Sequence, residues 1–205
     1  KHNLPDVGKN LQDHLEFYLQ YLCKKPVSWY PIGTWKYPHK RVLAGLEWFT
    51  KGTGVCASNQ FESGAFIKSN SNIEHPDIQL HFIPGCVIGQ KDFLPHHGFQ
   101  VHTGTLRPTS RGHIKLKSSN PFDYPLIDPN YLDTKDDLTD LINGLQLTKD
   151  IINQSAFNDF RGECISQVDF NDINSCINFI KTYSHSAYHP SSTCAMGKVV
   201  DSNAR

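Results

Sequence analysis

Three short segments set the strongest constraint on what this chain can fold into. Asp77 to Ile83, Phe99 to Leu106 and His113 to Lys117 each alternate apolar and polar residues, with Pro- and Gly-rich turns between them. A period of two puts successive side chains on opposite faces of a strand, and short turns join such strands antiparallel. The pattern predicts an antiparallel meander with one apolar and one polar face. In the first segment Ile78, Leu80 and Phe82 share a face and leave Gln79 and His81 on the other; in the second, His102 faces away from Phe99 and Val101. A polar sheet face bearing histidines is either turned to solvent or forms the wall of a pocket.

The rest of the chain dresses this sheet. LEFYLQYLC, from Leu15 to Cys23, alternates as a half-buried strand. The opening KHNLPDVGKNLQDHL is a loop, punctuated by Pro5, Asp6, Gly8 and Asn10 and anchored by Leu4, Val7 and Leu11. Pro26 to Pro38, with Trp29, Tyr30, Trp35, Tyr37 and three prolines, is too irregular for either regular element and is expected to be a covering loop or lid. Val42, Leu43, Leu46 and Phe49 fall at helical spacing and predict a helix over 39–50 with Gly52 as its stop. Gly52-x-Gly54 lacks a third glycine and a preceding strand, so it is not a dinucleotide-binding turn.

Two later helices follow from their stripes. One starts at Thr134, where Thr134 and Asp137 resemble a capping box, and carries Leu138, Leu141, Ile142, Leu145, Ile151 and Ile152. The other starts near Asp169 or Asn171 and is expected to bury Ile173, Cys176, Ile177 and Ile180. Strands and helices together give an α+β class with a core of useful size, since 205 residues at 38% hydrophobic content support one or two domains. Lys+Arg and Asp+Glu number 20 each, so no global field favours nucleic acid or an anionic membrane, and small-molecule substrates are the expectation. Six scattered cysteines without a C-x-x-C read as reduced thiols of an intracellular compartment. No run approaches a spanning helix and no signal peptide opens the chain; beginning at Lys1, it reads as a piece of something longer.

The densest chemistry lies in SHSAYHPSSTCAMG, Ser184 to Gly197. Three readings of it stand side by side. His185, His189 and Cys194 could ligate zinc; the histidines could be hydrogen-bonded scaffold; or one imidazole could serve as an acid/base group. Pro190 disfavours helical geometry at His189, which weakens the metal reading because His185 and His189 share a face only on a helix. Glu62, between Phe61 and Ser63-Gly64-Ala65, has no neighbouring cation in sequence. It is either an exposed loop glutamate or a carboxylate that faces a cationic ligand beside aromatic rings.

NLQDHLE, FESGAF, HPDIQLHF, RPTSRGHIKLKSSNP, IDPNYL and above all SAYHPSSTCAMG, in this order along the chain, resemble the glucose-methanol-choline (GMC) flavoprotein oxidoreductases. The resemblance implies a Rossmann-like FAD domain interrupted by a substrate domain built as an antiparallel sheet with helices. On that template 1–61 ends one part of the FAD-binding region, 62–183 is the substrate-binding domain and 184–205 returns to the FAD-binding domain. The family's G-x-G-x-x-G turn and the second active-site His or Asn are not in this sequence, so the chain by itself is expected to be inactive. His189 matches the family's active-site histidine, with His189 and Pro190 against the flavin; Glu62 matches the carboxylate that meets a trimethylammonium group in choline-oxidising members, and His81 a histidine lining the same pocket. Most members have Gly where Ser192 stands in HPSSTC, a departure that bears on the backbone there and not on His189. The implied reaction is FAD-dependent oxidation of choline to betaine aldehyde, with electrons passed to a quinone or similar acceptor, no metal, and peripheral association with the mitochondrial inner membrane in a eukaryote or the cytoplasmic membrane in a bacterium. The rivals are a GMC enzyme for a neutral alcohol and an inactive binding module.

Overall fold

The structure is a computed structural model that describes residues 3–88 and 92–205. In chain order its elements are β1 (Lys9–Leu11), β2 (Leu15–Cys23), α1 (Tyr30–Gly33), α2 (Pro38–Lys51), β3 (Ser63–Ile67), β4 (Ile78–Ile83), β5 (Val87–Ile88), β6 (Asp92–Phe93), β7 (Gly98–Thr105), β8 (Gly112–Lys115), β9 (Leu126–Asp128), α3 (Lys135–Ile152), β10 (Arg161–Cys164), α4 (Ile173–Tyr183) and β11 (His185–Ser186). The fold is α+β, as the alternation and the helical stripes together require.

The central sheet runs β10-β2-β7-β4-β3, with β11 also paired to β2. All of its pairings are antiparallel. β2 pairs with β7 over seven positions, from Glu16 opposite Gly104 to Leu22 opposite Gly98. The sheet draws strands from the first, middle and last thirds of the sequence. On one face Phe17, Leu19, Ile78, Leu80, Phe99 and Val101 are buried, and Leu141, Leu145 and Ile152 of α3 with Cys176, Phe179 and Ile180 of α4 complete the same cluster. Burying such side chains contributes about 1.5–3 kcal/mol each, so this layer is what holds the sheet flat against its helices. A Cβ at Gly144 would lie 3.1 Å from Thr103 Cγ2, so glycine here lets α3 approach β7 closely.

Several expectations are corrected. The meander stops after two strands, because β8 leaves the sheet to pair with β1 and β9 while β2 takes the free edge of β7. The connection explains it: the Asp137 carboxylate accepts the backbone N–H groups of Thr109 (2.6 Å) and Ser110 (3.0 Å) and so draws the loop after β7 toward the start of α3. Those bonds replace the expected capping box, and the Thr134 hydroxyl bonds Thr109 instead of its own helix. The opening segment is not all loop, since it contains β1. The aromatic segment contains the short helix α1, whose early Pro31 supplies a preset φ.

α2 ends at Gly52, whose φ of 65° and N–H to the Trp48 carbonyl (2.8 Å) form the expected left-handed stop. Its apolar stripe is not buried, however: Val42, Leu43 and Leu46 are exposed and Phe49 is 86% exposed. α4 is capped by Asp172 accepting the Asn174 N–H (2.9 Å), and it buries Phe179 where Ile173 was expected; Ile173 and Ile151 are exposed. Among the described residues no helix is long and apolar enough to cross a membrane.

Candidate active site

The second face of the sheet is polar. Glu16, Tyr18 and Gln20 of β2 lie opposite Gly104, His102 and Gln100 of β7, which lie in turn opposite Gln79, His81 and Ile83 of β4. The alternation that puts Phe17 and Leu19 into the core puts these residues together on the other side. The segment 184–193 closes one end of this face. Ala187 donates to the His14 carbonyl (2.9 Å), Ser191 and Gln12 exchange backbone bonds, and Gly8 donates to the Thr193 carbonyl (3.0 Å).

Asp13 ties that closure. Its buried carboxylate accepts the backbone N–H of His14 and of His189, both at 2.9 Å, together with the hydroxyls of Ser186 and Tyr131. Tyr131 is held neutral in consequence: burial and the Asp13 bond push its phenol up to about 12. The His189 main chain is thus fixed at the sheet's end while its ring stays exposed.

His14 and His189 meet through Nδ1 atoms 3.0 Å apart, rings edge-on. One Nδ1 must donate and the other accept. Burial, then the charge of His189, lowers the pKa of His14; burial likewise lowers that of His81, with Glu16 opposing the shift and His102 and His189 adding to it.

Glu16 is the carboxylate on this face, at the end that 184–193 closes, its side chain 9% exposed. Its Oε1 lies 2.9 Å from His102 Nδ1, and the Tyr18 ring stacks on His102 at 3.8 Å between centroids. Burial, then Glu16, pushes the Tyr18 phenol up to about 12. A small cavity is lined by His14, Glu16, Gln79, His81, Gly104 and His189. Alongside it a cavity of about 460 Å³ is lined by Tyr18, Phe61, Gln100, His102, His185 and Tyr188, among others. A Cβ on Gly104 would stand 3.1 Å from Glu16 Cβ, so glycine there leaves the carboxylate room.

The residues singled out from sequence are distributed unequally. His81 and His189 line the small cavity together. Glu62 is exposed; its backbone N–H bonds the Phe82 carbonyl (3.1 Å) and its side chain lines neither cavity, although its neighbour Phe61 lines the larger one, 5.1 Å from the His81 ring. His185 sits on β11 at the wall of the larger cavity, away from His189; among the described residues no group of three or more His, Cys, Asp or Glu side chains is arranged to hold a metal. Asp13, His14, Glu16 and Tyr18 were not singled out. Parity along LEFYLQYLC is the signal that finds Glu16 and Tyr18, once the face opposite the core is known to be walled.

For the FAD that the resemblance implies, His189 and Pro190 are both exposed, and His189 lines the small cavity with its backbone N–H held by Asp13. This exposed His-Pro pair can lie against a planar ring. Tyr188 (φ 60°) and Ser192 (φ 76°) turn the chain on either side of it, and Ser192 occupies left-handed backbone that glycine adopts freely. Gly52 and Gly54 follow the end of α2 and supply no phosphate turn.

Residues 108–205 match the family described as GMC oxidoreductase. The whole chain is 43% identical over 210 residues to the oxygen-dependent choline dehydrogenase of Acinetobacter baumannii (strain AYE), of which it covers 38%, and 44% identical to that of Pseudomonas fluorescens (strain SBW25), of which it covers 36%. It thus spans little more than a third of the curated relatives it matches. Among solved structures, pyridoxine 4-oxidase from Mesorbium loti superposes with a TM-score of 0.77 at 23% identity, over 98% of this chain and 36% of that one. A formate oxidase from Aspergillus oryzae RIB40, studied for its FAD modification, superposes with a TM-score of 0.82 at 17% identity, over 97% of this chain and 40% of that one. At these identities the two structures establish a shared fold.

Proposed function

Because residues 108–205 match the GMC oxidoreductase family and the whole chain is 43% identical to a choline dehydrogenase, we propose that the chain belongs to that family and supplies the substrate pocket and one catalytic imidazole of an FAD-dependent enzyme that oxidises choline to betaine aldehyde. One observation carries the choice of substrate. Glu16 is a buried carboxylate that lines the small cavity, and among the described residues its recorded ion-pair partner is an imidazole, His102, with no Lys or Arg against it. Such a charge next to a cavity walled by Tyr18, Phe61 and Tyr188 suits a quaternary ammonium, which gains from both a carboxylate and aromatic faces. The carboxylate role therefore goes to Glu16, whereas Glu62 is exposed and lines neither cavity.

His189 takes the hydroxyl proton. Its Nδ1 lies 3.0 Å from His14 Nδ1, so the imidazolium that forms can donate one of its protons to His14. Asp13 fixes the main chain that carries the ring, so the base arrives at the same place in each turnover. His81 lines the cavity between Glu16 and His189 and is placed to donate to the developing alkoxide. Bound FAD, against His189 and Pro190, would supply the hydride acceptor.

The test compares choline with 3,3-dimethylbutan-1-ol, its uncharged isostere, in the holoenzyme that carries these residues. The expected result is a kcat/KM for choline at least about tenfold higher, equivalent to about 1.4 kcal/mol. Equal values would contradict the cation site and favour a neutral-alcohol enzyme.

A further inference from the structure

The polar face contains a chain of hydrogen bonds whose direction is fixed at one end by the backbone. Val87 N–H lies 2.9 Å from Gln100 Oε1, and the Gln20 amide nitrogen lies 2.9 Å from the same oxygen. A backbone N–H can only donate, so the oxygen of the Gln100 amide must face Val87 and its nitrogen must face the other way. That nitrogen lies 2.6 Å from His102 Nε2. An amide nitrogen can only donate as well, so His102 Nε2 accepts and carries no proton. The single ring proton is then on Nδ1, 2.9 Å from Glu16 Oε1. Gln100 is 1% exposed and His102 8% exposed, so both groups are largely shielded from bulk solvent.

We propose that Gln100 and His102 are positioning residues that determine substrate charge specificity: Gln100 holds His102 in its neutral Nδ1–H form, and His102 in that form aims the Glu16 carboxylate while leaving its charge uncancelled. The argument rests on the reading of Glu16 given above and adds what keeps it anionic toward the ligand. Without the Gln100 donor, His102 Nε2 has a lone pair free to take a proton, and an imidazolium 2.9 Å from Glu16 would neutralise the one charge that a cationic alcohol can use. A neutral imidazole donor orients the carboxylate at no such cost, as the outer partners of a functional group do elsewhere.

The test uses the full-length holoenzyme labelled with ¹⁵N-histidine, the His102 signals being identified by their loss in His102→Asn. The ¹⁵N–¹H pattern in the unmodified enzyme should show a proton on Nδ1 alone. In Gln100→Met the His102 ring should become able to take a second proton near neutral pH, and the preference for choline over 3,3-dimethylbutan-1-ol should fall about tenfold. His102→Asn, whose amide places a donor near the position of Nδ1 but cannot be charged, should keep the preference, whereas His102→Leu should lose it. An Nε2 proton in the unmodified enzyme would overturn the proposal, as would a preference that survives in Gln100→Met or in His102→Leu. Should Gln100→Met not fold, the tautomer and the two His102 variants still decide. Glu16→Gln run in parallel separates the two layers: if it leaves the choline preference intact the role of Glu16 fails, while the tautomer measurement judges the network by itself.

Discussion

His14 and His189, 175 positions apart in the chain, face one another through their Nδ1 atoms at 3.0 Å. The contact joins the residue just before β2 to the segment that follows the last helix.

The first prediction concerns pH. The folded-state pKa of His14 and of His81 is lowered below 6.5 by burial. The unfolded chain therefore binds more protons than the folded one as the pH falls, so the stability these residues contribute is present above about pH 6.5 and lost as pH drops through the lower folded values. Melting temperature should fall between pH 7 and pH 5, and His14→Gln should fall less over the same range. A variant with an unchanged pH slope would remove His14 from the account.

Asp13 should matter out of proportion to its size. Asp13→Ala removes the acceptor for two backbone N–H groups and two hydroxyls in a buried position. The expected cost is about 3 kcal/mol, read as a drop in denaturant midpoint at constant slope. The loss of kcat should exceed the rise in KM, because the His189 main chain loses its anchor. A midpoint within experimental error of the parent would show that the other backbone bonds of 184–193 suffice.

Behind the sheet, Thr103 and Thr148 share a hydroxyl bond of 2.8 Å, and Thr148 also donates to the Gly144 carbonyl at 2.7 Å; both threonines are fully buried. Thr148→Val strands the Thr103 hydroxyl and should cost about 2 kcal/mol. Replacing both by valine should recover much of that loss, since no polar group is left without a partner. A double variant as unstable as the sum of the two single ones would point to packing at Gly144 instead.

Ser192 sits at a φ of 76°. Left-handed backbone costs a residue with a Cβ about 1–2 kcal/mol, and glycine returns part of that gain as entropy in the unfolded chain. Ser192→Gly should therefore be neutral to stabilising by up to about 1 kcal/mol in a thermal melt, with kcat preserved. A clear destabilisation would mean that the Ser192 hydroxyl, 3.2 Å from that of Ser191, carries more of the local structure than its backbone angle suggests.

How much of this was legible before the structure depends on whether a signal is local. β2, β4 and β7 follow from alternation to within a residue or two, and the stop of α2 at Gly52 follows from one glycine. What alternation cannot say is which strand neighbours which: β8 alternates as well as β4, yet the pull of Asp137 on Thr109 and Ser110 sends it to another sheet. The same limit hid Glu16. Its place in LEFYLQYLC marks it as off the core face, but its burial depends on the arrival of 184–193 from the far end of the sequence. Asp13, amid turn formers, carries no periodic signal at all. The His-Pro step constrained the backbone of His189 locally and weakened the metal reading, but it was the resemblance that singled His189 out; Glu62 drew attention because its neighbours in sequence are uncharged, which says nothing of its neighbours in space.

The central claim is that Glu16 provides the negative charge for a cationic alcohol. It is tested most directly by measuring choline KM in the full-length holoenzyme carrying Glu16→Gln and, separately, Glu62→Gln. The account predicts a rise of about tenfold or more for Glu16→Gln, little change for Glu62→Gln, and no comparable rise for 3,3-dimethylbutan-1-ol in either. A choline KM that rises for Glu62→Gln and holds steady for Glu16→Gln would contradict it.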